Sequence, residues 1–242
     1  MWRISWLIAA ACGCGRLGFD GHYEMLVGDG TPLQGDGRGS DGAPAVAPPC
    51  GTTVRFYDSF TPGMGEVWST FASLGYGLVI QNNRLELSFP TDAPTSTSAG
   101  LKSNPLDTTA SCMDILLATA PVQSAPVDTY VFMQTSGVGA ALWRVQGGNL
   151  IAAYSNPVAD PIGVAGSAPY VPATHRYLRI QEAAGALYWA TSSDDVTYTP
   201  FASLAPDMID FSSTSITIAI EATTQAANAG MAWYGTISVT GP

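Results

Sequence analysis

Positive charge is what this 242-residue chain has least of: one lysine, Lys102, and eight arginines stand against 19 acidic residues, for a formal net charge of -10. The attraction that drives binding to a phosphate backbone is therefore reversed, which makes nucleic acid a poor candidate partner, and none is expected. Histidine is nearly absent, with only His22 and His175, and no grouping of His, Cys and carboxylates has the spacing of a zinc site. No apolar run approaches the roughly 20 residues that a spanning helix needs. Lysine and glutamate are too scarce for long solvent-facing helices, and no segment sustains a period of 3.6 beyond one helical turn expected near Glu66–Phe71.

What is present is a hydrophobic fraction of 46%, ample for a substantial core, together with much Thr, Ser, Ala, Val and Gly. That composition suits strand faces and turns, so an all-β extracellular domain is expected.

The first residues follow the order of a secretory signal peptide: a single charge at Arg3, an apolar run from Ile4 to Ala11, then small residues. As a helix the run covers about 12 Å of a hydrocarbon core of about 30 Å, too short to cross it. The small residues end in cysteine, which resembles the lipobox of bacterial lipoproteins, where a Cys after small residues is lipidated and begins the mature chain. Cys14, preceded by Gly13 and followed by Gly15-Arg16-Leu17-Gly18-Phe19-Asp20, fits better than the alternative, Cys12. The resemblance implies a signal peptide over residues 1–13 and an acyl anchor in the bilayer. The expected address is the outer membrane or cell surface, with a periplasmic or secreted protein as the alternative.

From Gly15 to Pro49 the chain carries nine Gly, four Pro and five acidic residues. Such a stretch buries too little apolar surface to offset the entropy of ordering, so residues 14–49 read as a disordered tether with a reach of roughly 30 Å. Asp29, Asp36 and Asp41 lack the alternate spacing and closing Glu of an EF-hand loop.

From Cys50 to Pro242 the pattern becomes short alternating runs between turn signals, about eleven strands in all. Leu85, Leu87 and Phe89 share one face of a hairpin strand that follows a turn at Gln81-Asn82-Asn83. Without crossover helices the arrangement is two packed antiparallel sheets. Tyr57-Asp58-Ser59-Phe60 followed by Trp68, the Asn82-Asn83-Arg84-Leu85-Glu86-Leu87 hairpin, His175-Arg176-Tyr177-Leu178-Arg179-Ile180 and the hairpin from Leu187 to Tyr198 resemble concanavalin A-like (LamG-like) sandwich domains. Asp195 and Tyr198 depart from that pattern, in which Gly and Trp are usual, so a different turn is expected at this tip. The resemblance implies a jelly-roll sandwich and leaves function open among lectins, glycosidases, adhesive modules and structural domains.

Beyond an export signal thiols oxidise, and Cys50 and Cys112 are expected to pair, two free thiols being the other reading.

A glycosidase needs two carboxyl groups flanking the bond, and enzymes of this fold commonly carry Glu-x-Asp-x-x-Glu on one strand. That string is missing. Glu86 and Glu221 are expected on solvated sheet faces and His175 at a strand end, and there is no Gly-x-Ser-x-Gly elbow, so the domain is expected not to be an enzyme. Sugar rings stack on aromatic faces, which makes Tyr188, Trp143 and Tyr234 the candidate ligand-binding residues. Trp189 is in phase with core-facing Leu187, leaving Tyr188 outward. No cofactor is expected. At the hairpin tip Asp194 and Asp195 should stabilise the turn by bonding their own backbone, with loop calcium as the alternative. The expected function is an envelope-displayed, non-catalytic sandwich that binds carbohydrate or a cell-surface protein. A structural or adhesive module, or a divergent glycoside hydrolase, is the alternative.

Overall fold

The computed structural model describes residues 44–61, 67–72, 77–90, 97–119, 127–135, 139–155, 163–206, 211, 214–224 and 230–242. Cys12, Cys14, the leader and the tether as far as residue 43 lie outside the described residues. The chain divides after Arg38, and every described strand belongs to the second unit, Gly39–Pro242.

Fifteen strands make up the described residues, with no helix among them. They are β1 (Thr53–Asp58), β2 (Trp68–Ala72), β3 (Gly77–Gln81), β4 (Arg84–Phe89), β5 (Thr97–Ser103), β6 (Cys112–Thr119), β7 (Val127–Thr135) and β8 (Ala140–Gln146). There follow β9 (Asn149–Ser155), β10 (Gly163–Pro169), β11 (Tyr177–Ala183), β12 (Ala186–Ser192), β13 (Thr199–Leu204), β14 (Ile216–Thr224) and β15 (Gly230–Gly241). Four of them, β2, β5, β10 and β13, were not expected. Gly and Pro interrupt β5, β10 and β13, and β2 replaces the helical turn anticipated over Glu66–Phe71, of which Glu66 lies outside the described residues. Pairing with β5 decides that segment, tertiary context overriding a weak local preference.

One sheet has eight strands, in the order β13-β12-β11-β6-β15-β4-β3, with β1 also on β15. The long β15 divides one edge between two partners: 230–234 pair with β4 and 237–241 with β1. The second sheet has seven strands, β10-β9-β8-β7-β14-β5-β2, and all pairings are antiparallel. Two-residue turns at Asn82-Asn83, Gly147-Gly148 and Ala184-Gly185 have positive φ at both positions, the type I′ geometry that matches strand twist.

Alternation places Leu85, Leu87, Met113, Ile115, Ile180 and Trp189 of the first sheet against Val131, Met133, Trp143, Ile218 and Ile220 of the second. Three aromatic side chains carry hydrogen bonds across this core from one sheet to the main chain of the other. Trp143 Nε1 donates to the Arg179 carbonyl at 3.0 Å, Trp189 Nε1 to that of Leu142 at 3.1 Å, and Tyr234 Oη to that of Glu221 at 2.5 Å. Each buried donor is thereby satisfied, as a polar group in the core must be.

The Asp-x-Phe…Trp motif also has a structural cause. The Asp58 carboxylate accepts from the Phe60 amide and Trp68 Nε1, both at 2.6 Å, holding the Trp68 ring against Phe56 and Phe60. Cys50 and Cys112 are joined by a disulfide with Cα atoms 5.8 Å apart. The chain before it, expected to be free tether, is in contact with the sandwich: Gln181 Nε2 donates to the Pro48 carbonyl at 2.9 Å, and the Ala45 amide to Ser203 Oγ at 3.2 Å.

Candidate functional site

Two of the three aromatic residues expected at a ligand site face the core. Trp143 is 1% exposed and Tyr234 0%, so neither can touch a ligand, and both act as the cross-sheet links described above. The reason is strand phase: each alternates in step with core residues such as Ala141, Val145 and Ala232. Tyr188 is outward and half-buried on the eight-stranded sheet, while its neighbour Trp189 is in the core. At the hairpin tip, Asp194 Oδ1 accepts from the Val196 and Thr197 amides and from Ser192, and these bonds hold its carboxyl below its ordinary pKa. Asp195, at φ 65°, accepts from the Tyr198 hydroxyl. Both acids are committed to the turn, and among the described residues no three His, Cys, Asp or Glu side chains gather.

The outer face of the seven-stranded sheet is where chemistry-bearing residues converge. Asp128, Tyr130 and Phe132 alternate along β7 with core-facing Val127, Thr129 and Val131 and so share the outer face with Leu142, Arg144 and Gln146 of β8 and Glu221 of β14. Asp128 Oδ2 accepts from Arg144 at 2.9 Å, Gln146 at 2.8 Å and the Tyr130 hydroxyl at 3.3 Å. The Tyr130 and Phe132 rings stack at 5.5 Å and 12°, and the Arg144 guanidinium lies 5.2 Å from the Tyr130 ring centre. Tyr130, Leu142 and Ala153 form a second apolar cluster, separate from the core, against which Phe132 and Ile151 pack. This face is therefore a floor of buried groups with a half-buried rim that includes Phe132, Gln146 and Glu221.

Glu221 stands directly across from Tyr130 on one side and from Gly100 on the other. A Cβ at Gly100 would lie 2.7 Å from the Phe71 ring, so the absence of a side chain there lets that aromatic close on the strand beside Glu221. Burial raises the Glu221 carboxyl above its ordinary value, against the hydrogen bonds of Ser98 and Thr223, which act to lower it. Burial of the Tyr130 phenol likewise raises its pKa. Glu221 was expected on a solvated face, and its partial burial is what makes it different. Glu86 does not join it. It lies on the outer face of the other sheet, where hydrogen bonds from Gln81 and Arg84 outweigh burial and hold its carboxyl low. Asp128, Tyr130, Arg144 and Gln146 were missed in the sequence. Their signal was polar residues at every second place in otherwise apolar strands.

The outer face of the eight-stranded sheet carries a different group. Arg179 holds Asp114 by two bonds, at 2.6 and 2.8 Å, and lies 3.5 Å from the Tyr198 ring centre. Beside them is a cavity of about 190 Å³ walled by Ala45–Cys50. The bidentate pair is satisfied internally, so this group reads as structure.

Neither a protein-family model nor a curated protein matches the sequence. Solved structures do match. The catalytic domain of an endo-1,3-β-glucanase (laminarinase) from Thermotoga petrophila aligns with a TM-score of 0.60 at 9% identity, over 78% of this chain and 97% of that one. A structure reported with endo-acting O-glycanases of human gut bacteria gives 0.59 at 10%, over 78% and 100%. The exoplasmic/lumenal domain of VIP36, bound to Ca2+ and a mannose disaccharide, gives 0.54 at 8%, over 76% and 86%. The protein has the concanavalin A-like jelly-roll fold of two antiparallel sheets, a fold that lectins and glycoside hydrolases share. This corrects the expectation that the domain is not an enzyme. The same fold serves as the catalytic domain of an endo-1,3-β-glucanase, so the architecture is compatible with catalysis.

Proposed function

We propose that the protein is a carbohydrate-active sandwich that takes a glycan chain on the outer face of its seven-stranded sheet. The observation that carries this reading is the meeting, on that one face, of a stacked aromatic pair, a hydrogen-bonding cluster and a carboxyl raised by burial. The half-buried Phe132 ring offers its face to the apolar side of a sugar, with Tyr130 stacked behind it. Gln146, half-buried at the rim, supplies an amide for hydroxyl groups and is held in place by the buried Asp128–Arg144 pair. Glu221 keeps its proton to higher pH than an ordinary glutamate, the property required of a group that protonates a glycosidic oxygen. Asp128 faces Thr223, two residues along from Glu221, which makes the two acids diagonal neighbours.

The test is to screen the full-length chain on a glycan array and, with the polysaccharides it binds, to measure release of reducing ends. Phe132→Ala should weaken binding about tenfold or more, and Glu221→Gln should retain binding while abolishing any release. A chain that neither binds nor cleaves any glycan would defeat the reading.

We further propose that the domain is displayed at the cell envelope through lipidation at Cys14, or Cys12 in the alternative register. The Cys50–Cys112 disulfide supports export, because such bonds persist in oxidising compartments. Labelling of expressing cells with an alkyne fatty acid should tag the wild type, and label persisting in the Cys12→Ala, Cys14→Ala double variant would rule out both registers.

A further inference from the structure

We infer that Tyr234 is the positioning residue for Glu221, its hydroxyl fixing through the core the piece of β14 backbone that carries the carboxyl. The inference rests on the reading of the outer face of the seven-stranded sheet as the glycan site.

Tyr234 belongs to the other sheet and is wholly buried, so it has no direct part in binding. Its hydroxyl donates to the Glu221 carbonyl at 2.5 Å and also meets the backbone of Tyr130, the residue directly across the ladder from Glu221. One side chain thus holds from behind both strands that present the acid and the aromatic platform. The rest of β15 is shaped around this contact. Its register with β6 shifts on both sides of Tyr234, between Trp233 and Tyr234 and again before Ile237, and such irregularities re-aim a side chain. Gly235 follows within that irregular stretch, where a Cβ would lie 2.5 Å from Leu116 Cδ2. Only a residue without a side chain lets β15 approach β6 there without displacing Leu116. Glu221 is raised because its carboxyl is held in a desolvated place, and a loosened β14 would let it relax towards water.

The experiment is Tyr234→Phe in the full-length chain, which keeps the ring and removes the hydroxyl. Its control is Trp189→Phe, which removes another cross-core bond, the one to the Leu142 carbonyl. The Glu221 titration is followed by carboxyl carbon NMR, assigned with Glu221→Gln, alongside the thermal midpoint. Tyr234→Phe should lower the Glu221 midpoint by about half a unit or more and weaken glycan binding about fivefold. Trp189→Phe should lower the melting temperature and leave that midpoint in place. An unchanged Glu221 titration in Tyr234→Phe overturns the inference, as does an equal shift in Trp189→Phe. If Tyr234→Phe does not fold, 3-fluorotyrosine at position 234, which keeps the ring and acidifies the hydroxyl, must move the same midpoint for the inference to stand. The titration needs no ligand, so a chain that binds no glycan defeats the proposed function and still leaves this inference decided.

Discussion

Asp128 and Arg144 form a 2.9 Å ion pair between β7 and β8 on the outer face of a sheet, yet their side chains are only 3% and 10% exposed. A buried pair contributes little net stability, but a buried charge left without its partner is costly. Asp128→Ala should therefore destabilise the fold by about 3–5 kcal/mol, and Arg144→Met in the same chain should recover much of the loss. Urea denaturation of both single variants and the double variant measures the coupling.

Trp143 and Tyr188 should respond in opposite ways to truncation. Trp143→Ala removes a fully buried indole and leaves the Arg179 carbonyl without its donor, so it should cost about 3–5 kcal/mol. Tyr188→Ala, on a half-buried outward ring, should cost about 1 kcal/mol and leave glycan binding unchanged. Denaturation and array binding report the two readouts.

The disulfide closes a loop across a sequence separation of 62 residues. Chain entropy sets its contribution at about 4 kcal/mol at most, so the Cys50→Ser, Cys112→Ser variant should melt well below the wild type. Protection of the Ala45 amide from hydrogen exchange should fall with it, because Cys50 pins the end of that segment.

Two half-buried groups tilt stability with pH in opposite senses. Glu221 is raised above 4.5 by burial, so its contribution is in place below the unfolded value and is lost as pH rises through the folded one. Glu221→Gln should match the wild type near pH 4 and exceed it near neutrality. His175 is lowered from 6.5 by burial, and its Nδ1 accepts from the Val171 amide. Its contribution is present above 6.5 and is lost as pH falls through the folded value. His175→Phe should flatten the decline on acidification, read from urea midpoints between about pH 7 and pH 5.

Much of the fold was legible because strand alternation is a local property. Leu85, Leu87 and Phe89 share the core face as their spacing requires, and Trp189 follows Leu187 inward. Three of the four unexpected strands carry Gly or Pro and take their state from the strand they pair with, which local propensity does not record. The candidate face was barely legible. Asp128 and Glu221 lie 93 positions apart in the chain and become diagonal neighbours only because β14 pairs with β7.

By itself the sequence determined the two-sheet class, because period-2 alternation and the lack of crossover helices leave few other ways to bury the apolar face of each strand. It also determined the weak case for nucleic acid, through charge, and the availability of a cysteine pair. Tertiary structure alone decided which aromatic rings are links within the core and which glutamate is desolvated. Phase along a strand says that neighbours face opposite ways, and only packing against the second sheet says which way is in.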